Sequence, residues 1–281
     1  MPADILALSA GLASAIAFGA GDFAGGLATR RISGLAVTAV AQLVGFVLLL
    51  VVVLVTRPAA PGPVPLAIGM AAGISGAIGV AALYRALAIG AMGLVASVSG
   101  AGAVTIPLVV SLTFLGGAIS PLQGVGVGCA AAAVLAAGTA SRGSGSRAAL
   151  ALALLAALGF GLWYLLLDRA AATGSGPWSL LSSRFGGAAS MTLLAATRGQ
   201  LLSVGRSWRL VVASGICDVG GNALYVLARS GIQVSLAAAL SGIYPLFTML
   251  LARVVLNERL PRLGLAGVAL ALLAIVLIAV G

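Results

Sequence analysis

Residues 234–281 read VSLAAALSGIYPLFTMLLARVVLNERLPRLGLAGVALALLAIVLIAVG. An apolar run from Val234 to about Leu256 carries Pro245 in its middle, and the charged turn Asn257-Glu258-Arg259-Leu260-Pro261-Arg262 follows. A second apolar run extends from Leu263 to Gly281. A bilayer crossing takes about 20 apolar residues, and both runs are near that length. A proline inside a span removes one backbone hydrogen bond. In lipid the freed carbonyl needs a protein partner or a hydrated cavity. The stretch therefore reads as a membrane hairpin with a weak point at mid-depth.

The same design stands earlier in the chain. Leu94 to Leu115 is apolar around Pro107, a turn passes through Gly116-Gly117 to Pro121, and Leu122 to Ala140 is apolar again. Pro121 and Pro261 are 140 residues apart, as are Gly124 and Gly264. Phe18-Gly19 returns as Phe160-Gly161, Ala82-Leu83-Tyr84 as Ala223-Leu224-Tyr225, and Pro107 as Pro245, at offsets of 142, 141 and 138. Ten spans are predicted: Ile5–Thr29, Gly34–Thr56, Leu66–Ile89, Leu94–Leu115, Leu122–Ala140, Ala148–Leu167, Trp178–Thr197, Leu210–Ala228, Val234–Leu256 and Leu263–Val280. Two repeats are expected, 1–145 and 146–281, with five spans in each. An odd number sends the second copy into the membrane from the opposite side. Inverted repeats of this kind build secondary transporters, with the solute site near the midplane between the halves.

Composition agrees. Of 281 residues, 62% are hydrophobic and 7% charged, against about 25% charged in soluble domains. The runs are continuous rather than alternating, which selects helices over a barrel. The net charge of +10 comes entirely from arginine, mostly between spans, so it reads as topology bias and not as a nucleic-acid surface. Arg30, Arg31, Arg85, Arg142, Arg147, Arg198, Arg206, Arg209, Arg253, Arg259 and Arg262 fall on or near one side. Arg57, Arg169 and Arg229 fall on the other. The arginine-rich side is expected in the cytoplasm of a bacterial inner membrane, with both termini periplasmic. No basic leader precedes Ile5, so the first span reads as a retained helix. Cys129 and Cys217 lie inside spans, which argues against a disulfide. The absence of histidine excludes a Ser/His triad and a His-ligated metal. No Walker-type loop is present, and neither a cofactor nor an enzymatic activity is expected.

Ser241-Gly242-Ile243-Tyr244-Pro245, Asn257-Glu258-Arg259-Leu260 and Gly264-Leu265-Ala266-Gly267 resemble the EamA-type repeat of the drug/metabolite transporter superfamily. Phe18-Gly19-Ala20-Gly21 stands where that family has a Trp-Gly-Ser-like stretch. Ala118 takes the place of the turn glutamate of many members. The resemblance extends over both halves and is nearest to YddG-like bacterial amino-acid exporters. It implies ten helices around a central cavity lined by helices 1, 3, 4, 6, 8 and 9, and export of aromatic or other hydrophobic amino acids by alternating access. A proton-coupled exporter of drugs or lipophilic cations is the alternative on the same fold.

Candidate site residues follow. Asp218 lies near the middle of the eighth span, with Asn222 four residues on along the same face. At about 1.5 Å per residue, Arg184 is roughly 9 Å and Asp218 roughly 15 Å from the outer surface, a gap an arginine can bridge. The two read either as a structural ion pair or as a coupling or substrate-contacting site. Asp22 reads as lining the cytoplasmic part of the cavity, as Asn222 lines it further along, or as capping an irregularity near Gly21; it also follows Gly19-Ala20-Gly21, a Gly-x-Gly-Asp pattern shared with intramembrane aspartyl proteases, which makes a hydrolase the distant alternative. Phe18, Trp163, Tyr84, Tyr225 and Tyr244 are candidate cavity aromatics. Pro107 and Pro245 are the expected helix breaks. Glu258 and Arg262 are expected to close the cytoplasmic hairpin by a salt bridge or to act as a gate. Gly21-x-x-x-Gly25 and Gly124-x-x-x-Gly128 read as helix-packing contacts. The partners expected are a small-molecule substrate and the lipid bilayer, for a chain read as a monomer.

Overall fold

In the computed structural model, residues 2–114, 118–140, 144–172, 176–201, 205 and 207–281 are described. Arg142 and Arg206, Leu115, the Gly116-Gly117 turn and residues 173–175 and 202–204 lie outside them. The described residues form eleven α-helices and no strand. They are α1 (Pro2–Thr29), α2 (Gly34–Thr56), α3 (Pro63–Ile89), α4 (Met92–Phe114), α5 (Pro121–Ala140), α6 (Ser144–Ala172), α7 (Gly176–Thr197), α8 (Trp208–Gly231), α9 (Val234–Gly242), α10 (Tyr244–Leu256) and α11 (Arg262–Val280). Among the described residues, nine helical stretches are long and apolar enough to cross a membrane, with α9 and α10 together supplying one. α7 is not among them, since Arg184 and its serines dilute its apolar character.

The burial pattern is that of a multi-pass membrane protein. Large side chains point outward, among them Phe114 at 80% and Val55 at 76% exposure, while the fully buried positions are mostly alanine. A soluble monomer does not leave such a surface uncovered. Trp178, at the start of α7, donates to the Pro58 carbonyl at 3.1 Å. Trp208, at the start of α8, stacks under Arg209. They mark the two ends of the helix bundle, where amphipathic rings meet headgroups.

Lipid tails give helices no hydrophobic reason to associate, so close packing of small residues does it. α3 packs along α6 and α7, α1 along α8, α2 along α7, α5 along α11, and α4 along α6 and α10. Gly69, Gly73, Gly76 and Gly79 of α3 form a stripe that meets Ser182, Ser183, Trp163 and Phe160 in turn. Gly21 and Gly25 meet Cys217 and Tyr84. Gly124 meets only Ile119 and Gly128 faces empty space among the described residues, so the second small-residue motif packs no other helix there.

The two prolines behave differently. α4 runs unbroken through Pro107, which corrects the expected break in the fourth span. The Thr105 hydroxyl just before Pro107 donates to the Ala101 carbonyl at 2.7 Å within this helix. The ninth span is broken at Ile243, between α9 and α10. Gly242 weakens the helix there, and Pro245 sits in the first turn of α10, where a missing N–H costs nothing.

Gly73→Ala would place a methyl on the Ser183 carbonyl, with no flexible atom to yield. It is expected to cost about 1–3 kcal/mol and lower the melting temperature in detergent. Gly128→Ala, whose methyl meets nothing within 4 Å, should leave it unchanged.

Candidate functional site

The charged and aromatic candidates converge on α1, α2, α6, α7, α8 and α10. Arg184 on α7 holds the Asp218 carboxylate of α8 at 2.6 Å through Nη2. Its Nη1 donates to the side-chain oxygen of Gln42 on α2 at 2.7 Å. Arg184 is 13% and Asp218 36% exposed, so the acid side of the pair faces open space. Gly45 leaves room for the arginine stem. Asn222 bonds the backbone carbonyl of Asp218 at 2.8 Å, within its own helix.

Around the pair stand the rings. The Trp163 indole N–H donates to Ser183 at 2.9 Å, and its ring lies on Gly76. Tyr164 stands edge-on to it at 4.9 Å and is 48% exposed. Phe18 and Tyr244 meet edge to face at 6.3 Å. Phe18 also covers Gly221 of α8. Tyr225 is half-buried against a small cluster of Ala10, Ala228 and Ala237.

Tyr84 belongs elsewhere. At 4% exposure it is enclosed in the largest apolar cluster, with Phe23, Leu87, Met92, Val98, Ala153 and Val211. The Ser214 hydroxyl donates to the Gly21 carbonyl at 2.9 Å. The Tyr84 hydroxyl, 2.7 Å from Ser214, therefore donates to it. This network ties α1, α3 and α8 together and makes Tyr84 part of the floor rather than of a chamber wall.

That cluster occupies the end of the bundle remote from the N-terminus. The first half of α4, from Met92 to Ala103, is buried at every position except Gly102. Beyond Ala103 the helix is half-buried or exposed. Glu258 fastens the sealed end. Its carboxylate accepts from the Met92 and Gly93 amides at 3.0 and 3.3 Å. It thereby caps the start of α4, where free N–H groups and the helix dipole favour an anion. Asn257 makes this reach available by taking a left-handed conformation, φ 53°, that ends α10. No ion pair joins Glu258 to Arg262 among the described residues, so the expected hairpin salt bridge is replaced by a bond to another helix. An apolar crevice lined by Leu94, Val98, Ala149, Leu150, Leu260 and Pro261 opens beside this cap.

Asp22, on the face of α1 next to Phe18, has no hydrogen bond or ion pair with any described residue. It lies within electrostatic reach of Asp218, Tyr84 and Tyr244. An aspartyl hydrolase needs two carboxyls sharing a proton. Here no hydrogen bond joins Asp22 to Asp218, and Arg184 already occupies Asp218. Among the described residues no group of three or more His, Cys, Asp or Glu side chains is placed to hold a metal.

Residues 147–280, most of α6 through α11, match the model of the EamA-like transporter family. Thirteen chains of solved structures match. One, a crystal structure of a protein 19% identical to this one, aligns with a TM-score of 0.61 over 94% of this chain and 96% of its own. The fold is thus shared over nearly the whole length. The curated proteins contain no match.

Arg184→Gln should strand the Asp218 carboxylate and destabilise the fold by about 1.5–3 kcal/mol, the range for charge-assisted bonds. Adding Asp218→Asn should recover most of that loss in a thermal unfolding series, because the acid no longer needs a partner.

Proposed function

From the EamA-like match of residues 147–280 and the geometry of the site, we propose that this chain is a secondary transporter that exports small organic solutes by alternating access. Hydrophobic or aromatic amino acids, the solutes of the YddG-like exporters it resembles, are the first substrates to test. The reading has ten crossings: α9 and α10 share one, and α7 is a crossing despite its polar residues. The two five-crossing halves are inverted copies around the site.

The observation that carries this reading is that equivalent parts of the two halves stand in unequal surroundings. Tyr84 and Tyr225 are 141 residues apart in matching positions. Tyr84 is enclosed at one end of the bundle, while Tyr225 is half-buried near the other. The first half of α4 is buried almost throughout, whereas its counterpart α9 leaves Leu236 39% exposed. Helix packing fits the exchange of halves. α1 on α8 becomes α6 on α3, while α2 on α7 and α5 on α11 map onto themselves. The sealed, arginine-rich end is the cytoplasmic one in this reading, and both termini are periplasmic in a bacterial inner membrane. Reversal of the asymmetry would open that end and close the other. The hinge is the break at Ile243, and the latch is Glu258 on α4.

Purified protein in liposomes should move labelled aromatic amino acids in a saturable way, and a pH gradient tells coupled from downhill flux. Absence of saturable uptake across a panel of amino acids and amines would overturn the reading. Glu258→Ala should release the α4 cap, worth about 0.5–2 kcal/mol. A cysteine placed at Ser97, with Cys129 and Cys217 replaced, should then react several-fold faster with a membrane-impermeant thiol reagent from the sealed side.

A further inference from the structure

Asp22 lies within electrostatic reach of Asp218, and Asp218 is held by Arg184. The one guanidinium of this region among the described residues is engaged by the other carboxylate. Arg184 has its two terminal nitrogens on Asp218 and Gln42. Nothing comparable serves Asp22, which bonds to no described residue. It is nevertheless only half-buried, and its oxygens are not among the sealed polar atoms that lack partners. So it is an acid deep in a membrane protein, unpaired among the described residues, and reachable by something the size of water. An ionised acid at that depth is costly unless a cation or a water-filled cavity meets it.

The neighbours define what kind of cation. Phe18 stands one turn before Asp22 on the same face of α1, and its ring meets Tyr244 edge to face. Tyr244 is itself within electrostatic reach of Asp22. Below, the Tyr84 ring lies on Gly25 and closes the way toward the sealed end. Facing groups from the other packed helices are Asp218, already paired, and Cys217. A carboxylate walled by aromatic rings suits an organic ammonium group, since a ring face attracts a cation and the ring body accepts its apolar part. Among the described residues no third carboxylate, cysteine or histidine joins Asp22 and Asp218 to hold a divalent metal ion.

We propose that Asp22 is the group on which the solute's ammonium docks, with Phe18 and Tyr244 forming the apolar wall beside it. The proposal rests on the transporter reading and names the chemical class of its substrate. Asp218 is not the docking group, because Arg184 already neutralises it. A simple amine would bring the local charge to zero. An amino acid offers the same ammonium and adds a carboxylate.

The test is calorimetric binding to the purified full chain, with phenethylamine, phenylalanine and N-acetylphenylalanine as probes. The first two carry an ammonium and the third does not. Wild-type protein is expected to bind one or both ammonium probes and not the acetylated one. Asp22→Asn should weaken that binding at least tenfold with an unchanged melting temperature, and Asp22→Glu should restore part of it. The amine against the amino acid tells a monocation site from a zwitterion site, and Asp22-dependent binding of either supports the proposal. Equal binding of the acetylated probe by wild type, no binding of either ammonium probe, or full amine affinity in a folded Asp22→Asn protein would overturn it. The comparison of probes on wild type stands even where the variant fails to fold. Flux in liposomes separates the two readings. Asp22-dependent binding without flux sinks the transporter and keeps the site. Flux that ignores both the ammonium and Asp22 does the reverse.

Discussion

The closeness of α3 to α6 and α7 is the constraint on which the rest depends. In lipid a leucine gains little by turning inward, so helices associate where backbones can touch. Gly69, Gly73, Gly76 and Gly79 put the α3 backbone against α7 at one end of the stripe and against α6 at the other. Gly159 of α6 answers by meeting the Gly79 backbone, and Gly186 of α7 by meeting Met70. Two functional placements follow. Trp163 fills the place where a side chain on residue 76 would otherwise stand, within reach of Ser183. α7 is drawn in far enough for Arg184 to reach both Gln42 and Asp218. α7, the long helix not apolar enough to count as a span, is thus held by contacts that do not depend on its hydropathy.

The second organising fact is that the bundle is unequal along its depth. At one end alanines and glycines bring the helices into contact, and Tyr84, Ser214 and the Gly21 carbonyl bind three of them together. A carboxylate from the α10–α11 turn then caps α4. Such a cap is a charge-assisted contact at a helix terminus, strong enough to set a register and weak enough to break and reform. Among the described residues the other end has no comparable cluster, and its residues on α4, α6 and α8 are half open. If the chain is read as two similar inverted halves, their likeness gives no reason for this difference. In the transporter reading the difference belongs to one state of the cycle, and the halves can exchange it.

Much of this is legible in the residues. Continuous apolar runs mark the helices, and a Pro after Ser-Gly marks the break at Ile243. Two charges one helix apart at similar depth point to the Arg184–Asp218 contact. What the sequence does not convey has physical reasons. Pro107 and Pro245 look alike in spacing, yet only Pro245 follows closely on a glycine that lets the helix end. Glu258 and Arg262 are four apart, but Pro261 separates them and the left-handed Asn257 turns the carboxylate onto α4. Repeat position groups Tyr84 with the cavity aromatics, but it says nothing of which end is closed. Gln42 and Ser214 each stand as one polar residue in an apolar run, with no motif around them. A lone amide in such a run is itself a signal, since it must find a partner. The α3 glycine stripe is hidden by the abundance of glycine, 40 residues in all.

The two interior aspartates differ in one respect that sequence alone does not reveal: Asp218 has a permanent counter-ion, and Asp22 has none among the described residues. A carboxylate paired with arginine is a fixed dipole, since the guanidinium stays charged at any physiological pH. It can hold α7 on α8 through a conformational cycle without taking part in it. A carboxylate left unpaired in the same part of the bundle is an uncompensated charge whenever it is ionised, and the proton or cation that balances it comes from outside the fold. Asp22 stands next to the tyrosine floor, one turn of α1 from the Gly25 on which the Tyr84 ring lies. Its occupant would therefore press on α1, which Ser214 and Tyr84 hold to α3 and α8. Binding and closure then share one helix face. Balancing the charge at Asp22 and loosening the floor beneath it are linked through one hydroxyl and one ring, rather than through a long path across the protein.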